Sequence, residues 1–174
     1  MNGSEVTRYS TSYKGSFILY DTSKLKSGFK EANYFEPKIF LRKTGDTIVA
    51  TLDRKNLLCL DNLHVGNLIN KEYDMRYIIA ILNSKMMNKY YNHISLELGR
   101  AMAQTDIETI EKLPIKKASA ITQRGIAKLV DKILMSNEQL QKAKTSKEAE
   151  DLKKEIETID QKIEKKVKKI YGFD

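Results

Sequence analysis

The chain has one cysteine, Cys59, and it stands in the apolar run Leu57-Leu58-Cys59-Leu60. A buried, unreactive thiol is expected there, and a lone cysteine supports neither a disulfide framework nor a thiolate metal site. The two histidines, His64 and His93, are far apart and lack Cys-His spacing around them, so no zinc site can be read. The eight glycines are scattered, without the spacing of a phosphate-binding loop. No Ser-His-Asp or Cys-His set stands out. No apolar run approaches the ~20 residues that cross a bilayer, and no secretory apolar stretch is present. A soluble, cytoplasmic protein with no membrane partner is expected.

What the chain does hold is positive charge. It carries 31 Lys and Arg against 23 Asp and Glu, a net +8, which favours a polyanionic partner. Its 174 residues can bury one core with an appended element, but not several domains.

Composition divides the chain near residue 118. Only Tyr171 and Phe173 among the aromatics follow that point, and both prolines, Pro37 and Pro114, precede it. The first part, residues 1–117, reads as mixed β and α. Phe17-Ile18-Leu19-Tyr20 suggests a short strand ending at Asp21, followed by a polar loop through Ser27 and Gly28. Residues 37–46, PKIFLRKTGD, form an apolar β-branched run meeting a Gly45-Asp46 turn. With residues 47–53 they predict a hairpin. Residues 57–60 and 65–69 suggest further short strands or edges. From Tyr73 the period changes to three and four. Met75, Ile78, Ile79, Leu82 and Met86 predict one amphipathic helix over 74–91, with Asp74 suited to its first turn. Residues 107–113 form a short helical segment stopped by Pro114.

The second part, residues 118–174, predicts an antiparallel helical hairpin. Thr122 is the candidate N-cap of its first helix, and Ile126, Leu129, Val130, Ile133 and Leu140 form one apolar stripe. Thr145-Ser146-Lys147-Glu148 has capping-box spacing. Leu152, Ile156, Ile159, Ile163, Val167 and Ile170 follow, and Gly172 supplies a left-handed stop. The narrow stripe is that of a coiled-coil seam, and so short a hairpin is expected to pack on a partner or on a second copy of itself. The fold class is α+β, a small mixed β/α domain followed by this coiled-coil-like hairpin.

Three places carry side chains suited to nucleic acid. Arg42, Lys43 and Thr44 flank the hairpin turn, where fixed cations suit phosphates or base edges. Solvated strand charges are the plain alternative. Lys85, Asn88 and Lys89 lie on a polar face of the central helix. Asn can read adenine edges and Lys can reach guanine or phosphate, whereas Tyr90 and Tyr91 read as half in the core. Arg100 and Gln104 lie in Leu98-Gly99-Arg100-Ala101-Met102-Ala103-Gln104-Thr105, a stretch with little helix or strand drive. An enzymatic alternative exists: Asp21 with Glu36-Pro37-Lys38 has the order of a PD-(D/E)xK nuclease, in which two carboxylates hold magnesium beside a lysine. Against it, Pro37 breaks the strand where rigid ligands are needed.

The order of these motifs resembles a known family. Arg8-Tyr9, Phe17-Ile18-Leu19-Tyr20-Asp21, residues 37–46 and Ala50-Thr51-Leu52-Asp53 are similar to the TaqI-like C-terminal specificity domain. That domain is the target recognition part of N6-adenine DNA methyltransferases and type IIG restriction-modification enzymes. The likeness continues through residues 77–85, ending in Asn83-Ser84-Lys85, through Leu113-Pro114-Ile115, and into the tail at Ile159-Asp160 and Ile170-Tyr171-Gly172-Phe173. The resemblance implies a non-catalytic module that reads double-stranded DNA, with helices like the spacer helices of type I specificity subunits. Its methyltransferase partner needs an Asn/Asp-Pro-Pro-Tyr/Phe loop and a glycine-rich S-adenosylmethionine loop. This chain contains neither, so no cofactor is assigned to it. Those parts, and any nuclease, would lie upstream or in a separate subunit.

Overall fold

A computed structural model describes residues 1–15, 17–21, 23–24 and 33–173. The loop read through Ser27 and Gly28 lies outside the described residues. A short 3-10 turn, Gly3–Glu5, leads into two brief antiparallel strands, β1 (Val6–Thr7) and β2 (Ser10–Thr11). The main sheet contains β3 (Lys38–Arg42), β4 (Ala50–Asp53) and β5 (Leu63–Gly66), antiparallel in the order β4-β3-β5. Helices α1 (Met75–Asn83), α2 (Lys85–Ile94) and α3 (Ile107–Glu111) follow. The long pair α4 (Ala120–Leu140) and α5 (Ser146–Tyr171) completes an α+β fold.

The expected hairpin is present, with Lys38 opposite Asp53 and Leu41 opposite Ala50. Alternation along β3 sends Ile39 and Leu41 into the main core and Phe40 into a smaller one with Val6, Tyr34, Cys59 and Leu63. Both faces are therefore covered, which is why the strand reads as an unbroken apolar run. The connection is not a tight turn: residues 43–49 separate the two strands, and Arg42 N–H donates to the Val49 carbonyl at 3.0 Å. The hairpin opens, at the start of β3 and the end of β4, on a fully buried ion pair. Lys38 Nζ lies 2.5 Å from Asp53 Oδ2 and also donates to the Tyr34 carbonyl at 2.8 Å. Cys59 is buried against the Tyr34 hydroxyl, and burial pushes its thiol up from the usual range.

Helix α1 lies at the centre, with Tyr77, Ile79, Ala80 and Ile81 fully buried between the sheet and the α4–α5 pair. Ile79 and Ile81 each contribute about 1.5–3 kcal/mol by leaving water. Ile126, Val130 and Ile133 of α4 and Ile159, Ile163 and Val167 of α5 join the same core. The hairpin's apolar seam thus continues into α1, and the support expected from a partner comes from its own chain. Ion pairs reinforce the joint: Arg76 holds Asp74 and Asp131, and Arg8 holds Asp160 at 2.9 Å.

Several local expectations are corrected. Phe17 to Tyr20 form no strand. Phe17 and Leu19 are exposed, because among the described residues no neighbouring strand offers a ladder and an apolar run alone does not create one. Residues 57–60 are likewise irregular, with Leu57, Leu58 and Cys59 serving the small core, while the following strand begins at Leu63, where pairing with Arg42 starts, and ends at Gly66 opposite Ile39. The single helix expected over 74–91 is two helices. Ser84 adopts extended backbone, and its hydroxyl both donates to the Ile81 carbonyl at 2.8 Å and accepts from Met87 N–H at 3.1 Å. One serine closes α1 and caps α2. The N-cap of α4 is Ser119, not Thr122, since Ser119 Oγ accepts from Thr122 N–H at 3.2 Å. Asp74 caps α1, Thr145 caps α5, and Gly172 ends α5 at φ +82°. Among the described residues, no helix is long and apolar enough to cross a membrane.

Candidate nucleic-acid interface

Beyond β3 the chain turns through Lys43, Thr44 and Gly45. Arg42 Nε donates to the Thr44 carbonyl at 2.8 Å, folding the guanidinium over Gly45. A side chain at Gly45 would lie 3.1 Å from Arg42 Nη2, and its φ of +116° is open only to glycine, so this position fixes the arginine's path. Lys43 Nζ reaches Asp61 Oδ1 at 2.9 Å, and this hydrogen bond holds the Asp61 carboxyl below its usual range.

A second loop, residues 95–105, leaves the end of α2. Its shape is set internally. Arg100 N–H donates to the Glu97 carbonyl at 3.1 Å, Gln104 N–H to Glu97 Oε2 at 3.0 Å, and the Arg100 guanidinium pairs with Glu97. Gly99 turns the chain at φ +75°.

These two loops were separate candidates in sequence; the structure joins them. Gly45 N–H donates to the Ala103 carbonyl at 2.9 Å and Thr105 N–H to the Lys43 carbonyl at 2.7 Å. Thr44 bridges Gln104 as an isolated β-pair, and the buried Thr105 hydroxyl donates to the Arg42 carbonyl at 2.6 Å. His64 Nε2 meets the Thr105 carbonyl at 2.9 Å. An open groove of about 420 Å³ lies between the loops, lined by Thr44, Asp46, Arg100, Met102 and Gln104. Arg42, Lys43, Thr44, Arg100 and Gln104 thus share one edge of the molecule. Sequence reasoning missed Met102, 85% exposed on this edge, and Thr105, the residue that sews the loops together. An apolar residue in a short alanine-rich stretch gave no signal, and neither did a threonine acting through backbone groups over sixty residues away in sequence.

The helical candidates are placed differently. Lys85 and Lys89 are exposed on α2, whereas Asn88 is half-buried and its amide is held by backbone. Its oxygen accepts from Ile48 N–H at 2.6 Å, and its nitrogen donates to the Leu82 and Ser84 carbonyls at 3.1 Å. Lys85 lies away from the loop pair, in a groove against α5 with Asp160, Glu164, Lys165 and Lys168. Its backbone N–H donates to both Glu164 oxygens, at 2.9 and 3.1 Å, although burial keeps the Glu164 carboxyl above its usual range. Tyr91 is fully buried and Tyr90 half-exposed.

In the nuclease-like order the lysine is already engaged. The Lys38 ammonium is sealed against Asp53, Glu36 is exposed, and Asp21 bonds locally to Ser23 and Lys24. Among the described residues, no three His, Cys, Asp or Glu side chains could hold a metal ion together.

Comparison with curated proteins returns no match. The family model of the TaqI-like C-terminal specificity domain matches residues 1–115, which hold the sheet, α1 to α3 and both loops. The chain therefore belongs to the family of TaqI-like C-terminal specificity domains, the DNA-recognition modules of restriction-modification enzymes.

Proposed function

We propose that the chain reads a specific duplex DNA sequence on behalf of an N6-adenine methyltransferase of the restriction-modification kind, the type IIG enzymes included, and is itself non-catalytic. The observation that carries this reading is the backbone stitching between the Lys43 to Gly45 turn and the Ala103 to Thr105 segment. It holds cations and an amide on a braced edge without helix or strand between them. Rigid polar loops on a scaffold suit base-edge contacts, because little ordering entropy remains to be lost on binding. Lys43, Thr44, Arg100 and Gln104 face the bases or nearby phosphates, and Arg42 shapes the turn. Lys85 and Lys89 add phosphate contacts, while Asn88 holds the helix in place. Residues 1–117 do the reading, and residues 118–174 support them and dock the methyltransferase half, any nuclease, or a second copy of the chain.

Fluorescence anisotropy with labelled duplex DNA over a salt series tests the reading, followed by selection from a random duplex library. Binding that weakens steeply with salt, together with enrichment of one short sequence, is expected. No affinity for duplex at low salt would sink it.

A further inference from the structure

The last turns of α5 carry Lys162, Lys165, Lys166, Lys168 and Lys169, with Glu164 the one acid among them. The five lysines are exposed, while Glu164 turns inward onto Arg8 and the first turn of α2. Among the described residues, the ion pairs of α5 are Lys154 with Glu150, and Asp160 and Glu164 with Arg8; the five lysines enter none. Like charges three and four residues apart destabilise a helix. The helix dipole welcomes cations only in the last turn, which accounts for Lys168 and Lys169 but not for Lys162, Lys165 and Lys166. The other end of the same helix interleaves signs, as in the Glu150–Lys154 pair at 2.8 Å. One end is self-neutralised and the other is left needing an anion.

Its position suggests which anion. Lys165 and Lys168 share the groove with Lys85. Of the acids there, Asp160 and Glu164 are held by Arg8, leaving Glu157 exposed. From Lys85, α2 runs ten residues, about 15 Å. Lys85, Lys89 and His93 are exposed along it at four-residue spacing, up to Ser95 and the start of the recognition loop. We infer that the lysine end of α5 is a second phosphate-binding surface, gripping DNA backbone that flanks the sequence read by the loops. This rests on the DNA-reading function proposed above and extends it past residues 1–115, where the family match ends.

The test compares two variants of equal net charge. In one, Lys162, Lys165, Lys166, Lys168 and Lys169 become Gln. In the other, Lys132, Lys142, Lys144, Lys147 and Lys153, exposed around the far end of the hairpin, become Gln. The probe is a fluorescein-labelled random-sequence duplex of about 24 base pairs, titrated over a salt series. The first variant is expected to bind about tenfold more weakly, with a salt slope flatter by about three units, and to melt no lower than wild type. The second should change affinity by less than about threefold. Equal losses in both variants would reduce the effect to net charge and overturn the inference. Wild-type binding that neither variant alters would overturn it while leaving the DNA-reading function standing. A wild-type chain that binds no duplex would remove that function, and this surface with it.

Discussion

The side chain of Asn83 takes both backbone groups of Ala50. Its oxygen accepts from Ala50 N–H at 2.8 Å, and its nitrogen donates to the Ala50 carbonyl at 2.9 Å. Two residues back along the chain, Asn88 does the same for Ile48 N–H. The Ser84 break lets two amides five residues apart on helices match the two-residue repeat of a strand's outer edge. Together they pair backbone groups where the chain enters β4. Because Asn83 is buried and the Ala50 carbonyl also accepts from Tyr9 N–H at 3.1 Å, Asn83→Ala leaves the Ala50 N–H without a partner and should cost about 1–3 kcal/mol in urea unfolding. Unfolding free energy unchanged within error would mean that water replaces the amide.

The recognition edge separates stability from binding. The Lys43–Asp61 pair is exposed on its acidic side, so Lys43→Ala should alter stability by less than about 0.5 kcal/mol. It should weaken binding to all duplexes and flatten the salt slope by about one unit. Gln104→Ala should instead erase preference at one base position, worth about 1–3 kcal/mol. If affinity, slope and preference survive both changes, the loop pair is scaffold.

Lys38 and Asp53 illustrate a different dependence. Lys38→Met strands a buried carboxylate and should destabilise by about 3–5 kcal/mol. Asp53 also accepts from Lys55 and Leu57 N–H at 2.9 Å, so adding Asp53→Leu should recover only part of the loss. A double-mutant cycle measures the recovery; complete restoration would show that those two backbone bonds contribute little.

Asp74 makes stability depend on pH. Burial works against its charge, but hydrogen bonds from the Arg76 side chain and backbone prevail and hold its carboxyl below the ordinary 3.8. A carboxyl lowered on folding contributes stability that is present above its unfolded value and lost as pH falls through the folded one. Asp74→Asn keeps a capping oxygen and removes the charge. It should cost about 1 kcal/mol at neutral pH, and the difference from wild type should close below about pH 4. A gap that persists into stronger acid would assign the effect to capping geometry.

Removing residues 118–174 uncovers the side of α1 that packs on α4 and α5. The shortened chain should lose its cooperative thermal transition by circular dichroism, and Ile79→Ala in the full chain should cost about 2–5 kcal/mol. A sharp transition in the shortened chain would show that residues 1–117 form a core of their own.

Local signals were legible in the sequence and long-range ones were not. Caps at Asp74 and Thr145 and the stop at Gly172 lie next to the helices they bound, so α5 could be placed almost to the residue. The apolar period runs through Ser84 without interruption, which hid the break between α1 and α2. Phe17 to Tyr20 has strand composition, but a strand also needs a neighbour, and among the described residues none pairs with it. Asn88 looked like a group facing DNA because an amide aimed at a backbone edge has the same chemistry as one aimed at a base. The joining of Thr44 to Gln104 relies on backbone groups, which every sequence carries alike.

The braced edge also bears on how new specificities could arise. Thr44, Arg100, Met102 and Gln104 are exposed at the rim, while the residues that sew the loops together act largely through main-chain atoms. Substitutions at the rim can therefore drift while the scaffold stays intact, and on the proposed reading each would open a different target sequence. Grafting a relative's residues 1–115 onto this hairpin is another matter. It would set a foreign α1 against Val130 and Ile163, so the heritable unit of exchange is the rim alone or the whole chain.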